Sequence, residues 1–142
     1  MLTLNIIKGD LFGEPLKEGE YYVLCISSDA AMGKGIALEF KKRFIEVNAI
    51  QPFHYHVGAA IVCANDKVIN LVTKGRYFHK PTYQSMKTAL TSLRSACQLK
   101  HIGMLRMPTI GCGLDRLDWD VVKEMIKEQL TGLNIQVRVF VL

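Results

Sequence analysis

The sequence predicts an α/β fold built on a mixed, mainly parallel central sheet. Short apolar runs of strand length alternate with longer segments whose apolar residues recur at helical spacing. Some of the strand runs are apolar throughout, as in strands covered on both faces. The Asn65-Asp66 step between two other runs is suited to a tight antiparallel hairpin. This alternation places helices on both sides of one sheet.

Leu2, Leu4 and Ile6 alternate with Thr3 and Asn5, marking a half-buried first strand that ends at Lys8-Gly9-Asp10. Tyr21 to Ile26 is a continuous apolar run and the second strand. Beyond Gly33-Lys34-Gly35, the residues Ile36, Ala37, Phe40 and Phe44 fall on one helical face. Ala59 to Ala64 and Val68 to Val72 are the arms of the hairpin. Pro81 and Thr82 open a helix that aligns Met86, Ala89, Leu90, Leu93 and Cys97, since proline suits a first turn and threonine a cap. Met104 to Met107 reads as a short buried strand. Asp118 caps a last helix that turns Val122, Met125, Ile126 and Leu130 inward, with Trp119 anchoring it in the core. Ile135, Val137, Val139 and Val141 alternate as the final strand, which leaves Arg138, Phe140 and Leu142 on its polar side.

The 142 residues suit one domain spanning 1–142, with no linker, repeat or low-complexity segment. Although 49% of the residues are apolar, no uninterrupted run approaches membrane-spanning length. Met1-Leu2-Thr3-Leu4-Asn5 lacks the basic and apolar regions of a secretory signal. The 4 cysteines show no CxxC spacing, so reduced thiols in a cytoplasmic protein are expected. A net charge of +5 fits phosphate-bearing partners without singling out nucleic acid. His54 and His56 are too few for a metal site, and no metal is expected. Cys112 has no histidine placed as a catalytic partner, which favours a packing role over a nucleophile.

Chemistry concentrates at two glycine pairs, Gly33-Lys34-Gly35 and Gly111-Cys112-Gly113, the second followed by Leu114-Asp115. Glycine lets backbone N–H groups approach an anion closely, and helix N-termini point free N–H groups at phosphate. Two such loops on one small domain suggest a diphosphate with something attached at each end. Neither completes a dinucleotide fingerprint, because Leu38 and Arg116 stand where a third small residue is needed. The chain has no GxxxxGK[ST] motif, which excludes a P-loop. In such sheets ligands gather beyond the carboxyl ends of the strands. That rule puts Asp10, Ser27, Ser28, Asp29, Lys74 and the 108–115 loop on one rim.

These residues resemble a known family. Gly9-Asp10-Leu11-Phe12, Cys25-Ile26-Ser27-Ser28-Asp29 running into Met32-Gly33-Lys34-Gly35-Ile36-Ala37, and Met107-Pro108 through Leu117-Asp118-Trp119 are similar to motifs of the macrodomain. Thr73-Lys74-Gly75-Arg76 with His79-Lys80-Pro81-Thr82-Tyr83 resembles the terminal ADP-ribose protein glycohydrolases, which are also similar to DNA ADP-ribosyl glycohydrolase antitoxins. The likeness runs from about Ile6 to the C-terminus and is poorest from Glu46 to Val57.

The resemblance implies a three-layer α/β/α domain with an ADP-ribose cleft. It implies that Asp10 and Leu11 meet the adenine, that Gly33, Lys34, Gly35 and Ile36 lie near the distal ribose and diphosphate, and that Ser27 and Thr109 also bind ADP-ribose. Ile110, Gly111, Cys112, Gly113 and Leu114 would wrap the diphosphate. Phe140, read as an exposed aromatic, would border the adenine. The implied catalytic pair is Lys74, whose amine attacks C1″ of the distal ribose, and Asp115, which moves protons. No cofactor or metal is implied. The expected partners are ADP-ribose and ADP-ribosylated protein or nucleic acid, handled by a monomer away from membranes. A non-catalytic ADP-ribose reader and a plain nucleic-acid-binding module remain as alternatives. The sequence leaves the natural substrate open among modified protein, modified DNA, O-acetyl-ADP-ribose and ADP-ribose 1″-phosphate.

Overall fold

The apolar runs assemble into one 6-stranded sheet in the order β1-β6-β5-β2-β4-β3. The computed structural model describes residues 1–142. Its elements are β1 (Thr3–Lys8), β2 (Glu20–Ser27), α1 (Gly35–Arg43), α2 (Ile45–Asn48), β3 (Ala60–Cys63), β4 (Val68–Lys74), α3 (Tyr83–Lys100), β5 (Met104–Met107), α4 (Trp119–Leu130) and β6 (Gln136–Val141). Every strand pairing is parallel except the β3–β4 hairpin at one edge. Hence β1, β6, β5, β2 and β4 all end on the same rim, as a parallel sheet requires. No helix is long and apolar enough to cross a membrane.

Alternation along the strands divides the core in two. Val23, Ile69, Leu71, Leu105, Val137 and Val139 face α3 and α4, where Met86, Leu90, Leu93, Val122, Ile126 and Leu130 are buried against them. Tyr22, Leu24, Ile26, Val68 and Val72 face the other way, toward Phe40 of α1 and Val47 of α2. The predicted caps are in place. The Thr82 hydroxyl accepts from Ser85 N–H at 3.0 Å and the Asp118 carboxylate from Asp120 N–H at 2.9 Å. Asn65-Asp66 forms the hairpin connection, where the Asp66 carboxylate receives the first N–H groups of α2 and Glu46 receives those of Asn65 and Asp66.

Several expectations need correction. Phe44 is not on α1 but caps its end, and its ring joins Phe12, Tyr22 and Phe40 in an aromatic cluster. Ile36 faces solvent in the cleft rather than the core, and Ile6 on edge strand β1 is exposed. Trp119 is only half-buried, at the margin of the α3–α4 core. The supposed polar side of β6 is interior. Arg138 is buried, and Phe140 is half-buried against the second core rather than an exposed aromatic.

The cause is an ionic cluster on the part of the second face that no helix covers. Arg106 of β5 and Arg138 of β6 stand in register and share the Glu20 carboxylate, with Arg106 Nη2 and Arg138 Nε each donating at 2.9 Å. Arg106 also donates to the carbonyls of Leu11, Glu14 and Pro15, pinning the 9–17 loop across the sheet. The Phe140 ring lies against both guanidiniums. Burial alone would raise the Glu20 pKa, but hydrogen bonds from Arg138, the Lys17 N–H and Arg106, with the Arg106 charge, outweigh it and hold the carboxyl below its usual range.

Removing one member leaves uncompensated buried charge, so Glu20→Ala should lose about 3–5 kcal/mol in urea denaturation. Because the folded-state pKa is depressed, this contribution is complete above the unfolded value of about 4.3 and fades as pH falls through the folded value. The wild type should therefore lose stability in that acid window. Glu20→Gln, already weakened, should show a flatter pH profile across it.

Candidate active site

Polar groups gather at the carboxyl rim where the apolar interiors of β2 and β4 end. β2 ends at Ser27 and β4 at Lys74, with the chain after β5 turning at once into the glycine-rich 108–115 loop. Together with the loop before α1 they enclose a cleft of about 1000 Å³. That is the upper end of ordinary ligand pockets, about 300–1,000 Å³. Among the residues expected at the site, Ser27, Gly33, Lys34, Gly35, Ile36, Lys74, Thr109, Ile110, Gly111, Gly113, Leu114 and Asp115 line this one cleft.

Lys74 and Asp115 come from segments 41 positions apart, yet Nζ donates to Oδ1 at 2.6 Å. Both side chains are mostly buried, 14% and 17% exposed, which limits solvent screening and aims the pair into the cleft. Lys80 Nζ donates to the Leu114 carbonyl at 2.8 Å, and the Tyr83 hydroxyl accepts from Asp118 N–H at 3.0 Å. Both contacts anchor the Asp115 loop to the start of α3.

The glycines of each pair do different work. Gly35 (φ 59°) and Gly111 (φ 73°) hold left-handed backbone, and a Cβ on Gly111 would meet Met86 Cε at 2.6 Å. A Cβ on Gly33 or Gly113 would meet nothing within 4 Å, because that side of each opens into the cleft. The N–H groups of Gly111, Gly113 and Leu114 donate to no backbone acceptor of the protein and suit an anionic oxygen.

Asp10, Leu11, Cys112 and Phe140 are not part of this lining. The Asp10 carboxylate accepts from Phe12 N–H at 2.9 Å, and Leu11 is buried in the second core. Gly9 lies against the Phe140 ring, so this group forms a separate end of the rim. Burial, with the Asp118 charge, pushes the Cys112 thiol up to about 11, as fits a packing role. Burial and the Asp115 charge raise the Cys25 thiol as well. The cleft also takes in Tyr77 and Phe78, exposed aromatics that the motifs and periodicity of the sequence do not single out. Their one signal is an aromatic pair directly after Lys74-Gly75-Arg76, in a stretch with no core periodicity.

No family model matches the chain. It is 38% identical over 141 residues to the ADP-ribose glycohydrolase OARD1 of Homo sapiens and of Bos taurus, covering 98% of this chain and 91% of each relative. The macrodomain of Thermus aquaticus DarG superposes with a TM-score of 0.83 at 25% identity over the whole of both chains. Thermosipho africanus DarTG in complex with ADP-ribose matches in fold with a TM-score of 0.78 at 20% identity, over 96% of this chain and 41% of that one. The chain belongs to the macrodomain family. Within it, this protein is a relative of the OARD1 glycohydrolases along nearly its full length.

The division among the glycines is testable by stability alone. Gly111→Ala should cost about 1–3 kcal/mol, from left-handed backbone and the crowding at Met86 and Leu117. Gly113→Ala should stay within about 0.5 kcal/mol of wild type in the same denaturation experiment.

Proposed function

We propose that this protein is a hydrolase that releases ADP-ribose from carboxyl-linked glutamate or aspartate adducts, or from related ADP-ribose esters. The observation that carries the reading is the 2.6 Å contact between Lys74 and Asp115 inside a cleft bordered by both glycine loops. The 38% identity to OARD1, named an ADP-ribose glycohydrolase, supports the same activity. A reader needs donors for ribose and diphosphate; it does not need an amine and a carboxylate in hydrogen-bond contact at the cleft wall. The cleft is built from one chain, so a monomer suffices, and free cysteines fit a reducing compartment such as the cytosol.

In the proposed mechanism the ammonium of Lys74 passes a proton to Asp115, leaving a neutral amine and a carboxylic acid. The amine attacks C1″ of the distal ribose while the bond from C1″ to the acceptor oxygen breaks, and the acceptor carboxylate leaves with the electron pair. Loss of the amine's proton and protonation of the ring oxygen, relayed by Asp115, open the sugar to a Schiff base. Water adds to C1″, and cleavage of the carbon–nitrogen bond returns Lys74 and releases ADP-ribose. The unpaired N–H groups of the 110–114 loop would hold the diphosphate throughout. Asp10, Leu11 and Phe140, at their own end of the rim, would receive the adenine.

A panel of modified protein, modified DNA, O-acetyl-ADP-ribose and ADP-ribose 1″-phosphate, read by ADP-ribose release, tests the activity and ranks the substrates. Asp115→Ala should abolish most turnover while keeping ADP-ribose affinity within about tenfold, as for a group acting in proton transfer. Gly113→Glu should instead block binding in calorimetry.

Borohydride added during incubation with ADP-ribose should fix an adduct that peptide mass spectrometry places on Lys74. Lys74→Arg keeps the charge but cannot form the adduct, so it should bind without turnover. Chelators should leave activity unchanged. Binding without product from any substrate would reduce the protein to a reader.

A further inference from the structure

Two loops wall the cleft beside Lys74. The chain after β2 contributes Ala31, Met32 and Gly33, and the chain after β4 contributes Tyr77 and Phe78. Asp29 lines neither wall, yet its carboxylate grips both. Oδ1 accepts from the Ser27 hydroxyl at 2.5 Å and from Ala31 N–H at 3.2 Å, while Oδ2 accepts from Tyr77 N–H at 2.8 Å. The backbone adds to the grip, with Ser28 N–H donating to the Lys74 carbonyl at 2.8 Å and Asp29 N–H to the Gly75 carbonyl at 3.1 Å. These bonds begin where the β2–β4 register shifts, between Ile26 and Ser27, and Lys74 pairs with Ser27 just beyond that shift.

The first wall is also strained. Ala30 (φ 54°) and Met32 (φ 47°) hold left-handed backbone on either side of Ala31. Such conformations persist only where the surroundings impose them. The bond from Ala31 N–H to Asp29 is one such restraint. Burial works to raise the Asp29 pKa, but the hydrogen bonds from Ser27, Tyr77 and Ala31, with the Arg76 charge, outweigh it and favour the carboxylate.

We propose that Asp29 is a positioning residue for hydrolysis, clamping the two walls so that the distal ribose stands within reach of the Lys74 amine. This role rests on the hydrolase reading above. A carboxylate is needed because three donors converge on it. An amide accepts through one oxygen and adds N–H donors of its own, so it must release one wall.

The test compares wild type, Asp29→Asn and Val122→Ala on a carboxyl-linked substrate, at a temperature where circular dichroism shows all three folded. Val122 is in the α3–α4 core and not in the cleft lining, so it controls for general destabilisation. Asp29→Asn should lower kcat about ten- to a hundredfold with KM within about threefold, since small misplacements cost that much in rate. It should also speed amide exchange at Tyr77, whereas Val122→Ala should keep kcat within about twofold.

An Asp29→Asn kcat within about twofold of wild type, or a loss matched by Val122→Ala, would overturn the clamp. Should Asp29→Asn fail to fold, Ser27→Ala removes one donor and should lower kcat about three- to tenfold; an unchanged kcat would sink the idea equally. No turnover by wild type on any substrate would instead defeat the hydrolase reading, and with it any role for Asp29 in hydrolysis.

Discussion

The shared grip of Arg106 and Arg138 on Glu20 is what allows this sheet to be covered by a loop instead of a helix. On one face, α3 and α4 span the strands with apolar side chains. On the other, α1 and α2 meet only part of the sheet, and the 9–17 loop lies across β5 and β6. A loop brings backbone carbonyls that no helix would leave unpaired, and buried carbonyls need donors. Arg106 supplies them to Leu11, Glu14 and Pro15 while Glu20 offsets its charge. The arrangement is demanding, since two guanidiniums answer to one carboxylate and Arg106 Nε has no partner. Its consequence at the rim is a fixed course for the Asp10–Leu11 turn.

At the other end of the rim the design is the reverse. The 108–115 loop leaves the N–H groups of Gly111, Gly113 and Leu114 without a backbone acceptor, and the cleft carries the Lys74–Asp115 ion pair beside Lys34, Lys80 and Arg116. Backbone donors stabilise an anion without a counter-charge that must itself be desolvated. Lys74 Nζ stands 2.6 Å from the Asp115 carboxylate, which brings an amine and an acid together at the cleft wall. Each glycine pair divides its work, with one glycine shaping the turn and the other standing beside open space.

The strands, their caps and the glycine loops were legible because each rests on local physics. Apolar alternation, a threonine or aspartate at a helix start, and an Asn-Asp connection carry their meaning within a few residues. Phe44, Arg138 and Phe140 mislead for the same reason. Phe44 fits the helical spacing, but the helix stops one residue short of it, and its ring is held by aromatics from two other segments. Arg138 and Phe140 alternate with valines, which signals a solvent face unless an acid from a distant strand is waiting. Glu20 is 118 positions from Arg138, and nothing near either residue announces the partner.

By itself the sequence determined the α/β class, the order of elements and the two glycine loops, since those follow from periodicity and turn chemistry, while Lys74 and Asp115 stood out only through resemblance to a family. Only the tertiary structure decided that Lys74 and Asp115 touch, that Asp29 joins the two walls beside them, and that Tyr77 and Phe78 stand in the cleft. It alone decided that the second face of the sheet is closed by charge as well as by apolar packing. These are contacts between segments far apart in the chain, set by parallel pairing and by what each face must bury, and no window of local sequence contains both partners.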